Sequence, residues 1–123
     1  MEFIKKRQVD FYYEDNRGSL TQLVHEGFEQ INVLITNHGV TRGGHYHKIS
    51  REAFYIQNGS VVVTAKHDGQ SKEYAFKQGD FFEIAPYVFH SMYFPEDCIM
   101  VQMYDKCVEL QDGTKDIYTE DQI

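Results

Sequence analysis

GVTRGGHYHKISREAFYIQNG, Gly39 to Gly59, decides how the rest of the chain is read. Its second half, EAFYIQN (Glu52 to Asn58), is a β-prone run, and a second one, SVVVTAK (Ser60 to Lys66), follows directly. Asn58-Gly59 between them predicts a two-residue type I′ hairpin turn, because both of its central positions favour positive φ. Such a turn sets which side chains face inward. With Phe54 and Ile56 turned to the core, Glu52 faces the core too, since strand side chains alternate with period two. An acidic side chain on an apolar face requires a partner. The first half of the stretch supplies candidates. His45 and His47 are two apart, so on an extended strand both imidazoles share one face, and Glu52 lies five residues on, across the connection Lys48 to Arg51.

The same texture continues on both sides. VDFYYED (Val9 to Asp15), INVLITN (Ile31 to Asn37), KEYAFK (Lys72 to Lys77), FFEIA (Phe81 to Ala85), HSMYF (His90 to Phe94) and CIMVQMY (Cys98 to Tyr104) are further candidate strands. Turn signals separate them: Asp15-Asn16-Arg17-Gly18, Asn37-His38-Gly39, Asp68-Gly69 and Gly79-Asp80. Short strands with regular turns predict an all-β sandwich or barrel. Helix-like character is confined to Thr21 to Phe28 and to the polar tail after Lys106, which would dock on the barrel or fray. Residues 120–123 (EDQI) read as a polar terminus.

The chain has 123 residues, enough for one domain, and residues 1–123 are expected to form it without a linker. A hydrophobic share of 41% excludes disorder. The net charge of −7 argues against a nucleic-acid partner, and no apolar run suits a bilayer or a signal peptide. Cys98 and Cys107 make neither a disulfide framework nor a zinc site of the thiolate kind. A cytoplasmic location is the expectation.

GDFFEIAPYVFH (Gly79 to His90) brings one more histidine after a Pro-marked turn, Pro86. His45, His47, Glu52 and His90 converging inside a small barrel would suit one divalent metal, Zn, Fe, Mn or Ni, with positions left open. The spacing Gly39, His45-x-His47, Glu52, Gly59 resembles the first motif of the cupin superfamily. Gly79, Pro86 and His90 resemble its second motif, with Val88 where a glycine is usual, a Pro-to-His spacing one residue short and no Asn after the histidine. The resemblance implies a single cupin β-barrel of jelly-roll type with short peripheral helical or irregular termini.

A narrower resemblance rests on Asp15 to Leu20 (DNRGSL), Arg42 to Lys48 (RGGHYHK) and Ile84 to Phe94 (IAPYVFHSMYF). These are similar to the nucleotide-sugar 3,4-ketoisomerases (WxcM-like) and the deoxysugar epimerases. The resemblance implies isomerisation of a dTDP- or UDP-linked 4-keto-6-deoxysugar in surface-polysaccharide sugar biosynthesis, in a homodimer. It assigns His45 and His47 to proton transfer and Arg17 to the diphosphate; Arg42 would stabilise enolate charge or bind the diphosphate, and from the aromatic excess Tyr87 or Phe89 would stack on the base or sugar. Those ketoisomerases work without metal and lack a glutamate at the place of Glu52, so two mechanisms stand open. Either the histidines shuttle protons and no cofactor is needed, or a metal engages them. A metal-dependent cupin of another class, a dioxygenase or sugar-phosphate isomerase, and a non-catalytic sugar-binding cupin are the alternatives.

Overall fold

The computed structural model describes residues 2–120. Of the polar terminus expected at residues 120–123, only Glu120 lies among them, paired with Lys66. Eleven strands carry the described chain: β1 (Ile4–Lys6), β2 (Phe11–Asp15), β3 (Gly18–Gln22), β4 (Gln30–Thr36), β5 (Thr41–His45), β6 (Glu52–Asn58), β7 (Ser60–His67), β8 (Gln70–Lys77), β9 (Phe81–Ile84), β10 (Phe89–Tyr93) and β11 (Cys98–Tyr104). They form a five-stranded antiparallel sheet in the order β1-β9-β6-β11-β4, a four-stranded one in the order β5-β10-β7-β8, and the β2–β3 hairpin. The all-β expectation holds, and no described helix is long and apolar enough to cross a membrane.

Apolar side chains from the two larger sheets fill the space between them. Phe82 of β9 stacks on Phe76 of β8 with ring centroids 3.8 Å apart, and Phe54 of β6 stacks on Phe82. Ile56, Val61, Val63, Met92 and Met100 join the same cluster. Each such fully buried side chain contributes about 1.5–3 kcal/mol relative to exposure. A second, smaller cluster covers part of the outer face of the five-stranded sheet. There Val9, Leu23, Val24 and Phe28 pack over Ala53, Phe81 and Met103.

Two local expectations are corrected. Asn58-Gly59 is no hairpin turn, because β6 pairs with β9 and β11 while β7 pairs with β8 and β10. The chain crosses there from one sheet to the other. Gly59 has φ +89°, and a Cβ on it would lie 2.2 Å from the Asp97 carbonyl oxygen, so the corner needs glycine for space as well as conformation. The two-residue hairpin turn sits instead at Asp68-Gly69, with φ values of 53° and 79° joining β7 to β8.

The second correction is the helix at Thr21 to Phe28. Thr21 and Gln22 end β3, and Gly27 at φ +90° breaks any turn of helix that would follow. The apolar spacing of Leu23, Val24 and Phe28 serves packing on the sheet face instead. The tail after Lys106 docks without forming a helix. Among the described residues it makes two isolated bridges, Tyr46 to Tyr118 and Glu109 to Lys115, and Val108 and Asp116 are buried.

Gly59→Ala tests the corner. It is expected to lower stability by about 2–4 kcal/mol, read as a shift in the urea midpoint, because strain and overlap with the Asp97 backbone act together.

Candidate functional site

Glu52 is the first residue of β6 and is 1% exposed. The parity read from Phe54 and Ile56 is therefore right even though the turn that suggested it is not. Its carboxylate is fully occupied. Oε1 takes His47 Nε2 and His90 Nε2, each at 3.1 Å, and Oε2 accepts from the Gln102 amide at 2.7 Å.

The histidines arrive from three directions. His45 ends β5 and lies opposite His90 of β10 in register, with ring centroids 4.9 Å apart. Gly43 and Gly44, at φ +86° and +80°, turn the chain just before His45. A Cβ at Gly43 would fall 2.9 Å from the His90 carbonyl oxygen, so glycine permits the close approach of the two strands. His47 follows two residues after the end of β5 on the same side as His45, while Tyr46 between them points the other way, toward Tyr87 and Tyr118. One ligand atom from each of His45, His47, Glu52 and His90 lies within 4.8 Å of all the others.

The donor set fits a divalent metal. His47 Nδ1 donates to the Asp116 carbonyl at 2.6 Å and His90 Nδ1 donates to the Val88 carbonyl at 3.1 Å. With an ion bound, those bonds would keep the ring proton on Nδ1 and leave each Nε2 lone pair to ligate it beside Glu52 Oε1. Imidazole and carboxylate together suit Zn, Fe, Mn or Ni. His47, Glu52, His90 and His45 are the residues that would hold such an ion.

Electrostatics separates the two histidines of the motif. Burial, reinforced by His90, pushes the His45 imidazole down to about 4 despite the nearby Glu52 charge, so it is neutral at physiological pH. For His47, burial is the largest influence and lowers its pKa. The bonds to Glu52 and to the Asp116 carbonyl outweigh it, and the net shift is upward. Burial likewise opposes Glu52 ionisation, and the His47 and His90 bonds overcome it, holding the carboxyl well below its ordinary range. Tyr104, edge-on to His47, is pushed far up by burial and by the Glu52 carboxylate, so its phenol stays protonated.

A cavity of about 220 Å³ opens onto the cluster, lined by Leu34, Arg42, His45, Glu52, His90 and Gln102 among others. His45 faces it, whereas His47 sits behind Glu52 with both ring nitrogens engaged. Arg42 lines it too, its Nε donating to Thr36 Oγ1 at 2.8 Å. The other two sequence candidates lie elsewhere. Arg17 stands at the tip of the β2–β3 hairpin, 83% exposed in its side chain and paired with Asp15 at 2.6 Å. Tyr87, at φ +68° and half-exposed, lines a separate cleft of about 750 Å³ with Tyr46, Lys48, Lys66 and His67.

Four residues of the site escaped the sequence reading. Gln102 and Tyr104 share the inward parity of β11 with Met100, opposite Phe54 and Glu52. An amide inside CIMVQMY was a legible signal. Asn32 of β4 extends the chain of bonds, donating to Gln102 Oε1 at 2.9 Å. Asp116 sits in a segment with no pattern at all, and nothing in sequence marked it.

Residues 13–104 match the family described as polysaccharide biosynthesis C-terminal domain. No curated protein matches the chain in sequence. Solved structures do match in fold. The WlaRB TDP-quinovose 3,4-ketoisomerase from Campylobacter jejuni superposes with a TM-score of 0.81 at 17% identity, covering 99% of this chain and 97% of that one. QdtA, a sugar 3,4-ketoisomerase from Thermoanaerobacterium thermosaccharolyticum in complex with TDP, gives 0.72 at 21%, covering 85% and 81%. The capsular polysaccharide assembling protein CapF from Staphylococcus aureus gives 0.67 at 22%, covering 89% of this chain and 32% of that chain. The fold is the one these solved 3,4-ketoisomerase structures share.

The His45 shift has a measurable consequence in protein stripped of metal. Its folded pKa lies below the ordinary 6.5, so the unfolded chain binds the proton more readily, and stability falls as pH drops from about 6.5 toward 4. His45→Gln is expected to flatten that decline in urea midpoints measured against pH. An unchanged slope would contradict the assignment.

Proposed function

The chain belongs to the polysaccharide biosynthesis C-terminal domain family, and from that membership we propose that it is an isomerase of a dTDP- or UDP-linked 4-keto-6-deoxysugar in surface-polysaccharide sugar biosynthesis. The observation that carries the reading is the cluster of half-buried His45 with buried His47, Glu52 and His90, onto which the cavity opens, with Arg42 on its wall. Moving the ketone from C4 to C3 requires loss of the C3 proton, an enediolate, delivery of a proton to C4 and transfer of the hydroxyl proton from O3 to O4.

His45 is the imidazole open to the cavity and neutral at working pH, so it is the residue assigned to take the C3 proton. A base whose pKa is near 4 is weak, so abstraction depends on stabilising the negative oxygen as it forms. The Arg42 guanidinium supplies charge for that oxygen or for the diphosphate. His47, engaged at both nitrogens, is assigned to holding Glu52 rather than to the shuttle. A divalent ion bound at the cluster would supply Lewis-acid polarisation of the ketone. Ligation and proton transfer compete for His45. The donor set therefore also favours a second reading, a metal-dependent cupin of another class such as a dioxygenase or sugar-phosphate isomerase.

Binding pockets for whole small-molecule ligands run to roughly 300–1,000 Å³, so a cavity of about 220 Å³ suits the sugar ring alone. The nucleoside diphosphate would lie outside it, past Arg42.

The expected assembly is a homodimer in the cytoplasm. Phe11, Tyr13 and Leu20 share one face of the β2–β3 hairpin, Ile31, Val33 and Ile35 share the outer face of the edge strand β4, and all six are more than half exposed. A standard interface buries ~800 Å² per partner, and these outward apolar side chains are the surface assigned to it. Val33→Lys is expected to convert a mass of about twice 14.4 kDa to the single-chain mass in light scattering. A dimer that survives the substitution pairs through some other surface.

Incubation with dTDP-4-keto-6-deoxyglucose in D₂O is expected to introduce deuterium at a ring carbon, and His45→Gln to slow this by about 10²-fold or more. Substrate bound without exchange would leave a sugar-binding cupin. Glu52→Gln separates the mechanisms. Together with elemental analysis, lost metal and lost activity favour ligation, whereas retained activity in metal-free protein favours the histidine route.

A further inference from the structure

The connection Lys48 to Arg51 determines how His47 sits relative to Glu52, and the C-terminal segment holds all of it. Asp116 is fully buried. Its Oδ1 accepts from the Lys48 amide at 2.9 Å, and its Oδ2 accepts from the Ile49 and Ser50 amides at 2.9 and 2.8 Å. Its own backbone carbonyl accepts the His47 Nδ1 proton at 2.6 Å. Neighbouring bonds complete the clamp. Ser50 Oγ donates to the Lys106 carbonyl, the Arg51 amide donates to Asp105 Oδ1, and Tyr46 and Tyr118 exchange both backbone bonds.

Three successive amides turned into one carboxylate form an anion-binding nest, here filled by the chain's own side chain. Charge-assisted bonds of this kind are roughly twice as strong as neutral ones. One residue therefore governs the path of the connection through its side chain and the ring orientation of His47 through its main chain. We propose that Asp116 is a positioning residue of the site, which sets the His47–Glu52 geometry and holds the His47 proton on Nδ1. The proposal rests on the reading of this cluster as the working site.

The test uses the full chain with Asp116→Asn and Asp116→Ala. Asparagine keeps the shape and one acceptor oxygen, but points an N–H₂ at an amide donor. Three measurements are made: circular dichroism for the fold, Co²⁺ binding by calorimetry, and the His47 tautomer by ¹⁵N-edited NMR. In the unaltered protein the His47 Nδ1 proton is expected to be visible and slow to exchange. Its absence overturns the proposal without any variant. Folded Asp116→Asn is expected to bind Co²⁺ about 10–100-fold more weakly and to lose protection of that proton. A folded variant with unaltered Co²⁺ affinity and an unaltered tautomer overturns the proposal, even if its melting temperature falls, because a merely structural role would lower only the latter. Should the unaltered chain bind no Co²⁺, the metal reading fails on its own. The tautomer and its exchange rate then decide the role of Asp116.

Discussion

A carboxylate closed off from water organises this protein. Glu52 opens a strand whose next inward neighbours are Phe54 and Ile56, and it is as buried as they are. An unpaired charge there would cost several kcal/mol. The side chains bonded to it come from separate parts of the chain: His47 from beyond β5, His90 from β10 and Gln102 from β11. Each of these is itself held, by the Asp116 carbonyl, the Val88 carbonyl and Asn32. The network reaches through β4, β5, β6, β10, β11 and the C-terminal segment, so the polar interior and the barrel architecture stand or fall together. It also accounts for the inverted pattern of β4. Its inward positions Asn32 and Thr36 serve the network and Arg42, which leaves Ile31, Val33 and Ile35 turned outward.

The same arrangement makes the two motif histidines unequal. Equal spacing and a shared face suggested a matched pair, yet their surroundings differ. His47 is saturated at both nitrogens and fully buried, while His45 lacks such bonds among the described contacts and borders the cavity. Differences of this kind divide holding from reacting within one motif, because a ring nitrogen already committed to a strong bond is a poor proton carrier.

Legibility in the sequence followed from how local each interaction is. Strand parity needs only a few residues, so Glu52, Phe54 and Ile56 were placed correctly from EAFYIQN alone. Asn58-Gly59 showed the limit of a local rule. The dipeptide reports positive φ at Gly59, which the structure has, but not which strands lie beside it, and that is a matter of long-range pairing. Likewise the spacing of Leu23, Val24 and Phe28 reported an apolar face without saying that a sheet, rather than a helix partner, would receive it. Strands β1, β3 and β5 hold one β-branched residue each beside lysine or glycine, a weak local signal, and their partners make them strands. Asp116 is the extreme case. Its role lies in bonds to residues nearly seventy positions away, and no composition or spacing encodes them.

The size of the cavity bears on how recognition and chemistry are divided. A space of about 220 Å³ that ends at Glu52 cannot enclose a nucleoside diphosphate as well as a sugar. Under the proposed function, selectivity for the nucleotide would come from the surface outside the mouth, and the chain as a whole is acidic, with a net charge of −7. An anion is drawn there only where local cations offset that field, and Arg42 is the cation on the cavity wall. Arg17 is already paired with Asp15 at the tip of its hairpin, and Tyr87 faces a different cleft, so neither can add to the mouth from its own barrel. Under the proposed function, the barrel interior would select for a keto sugar and Arg42 for its charge. Discrimination between one nucleobase and another falls to surface groups beyond both.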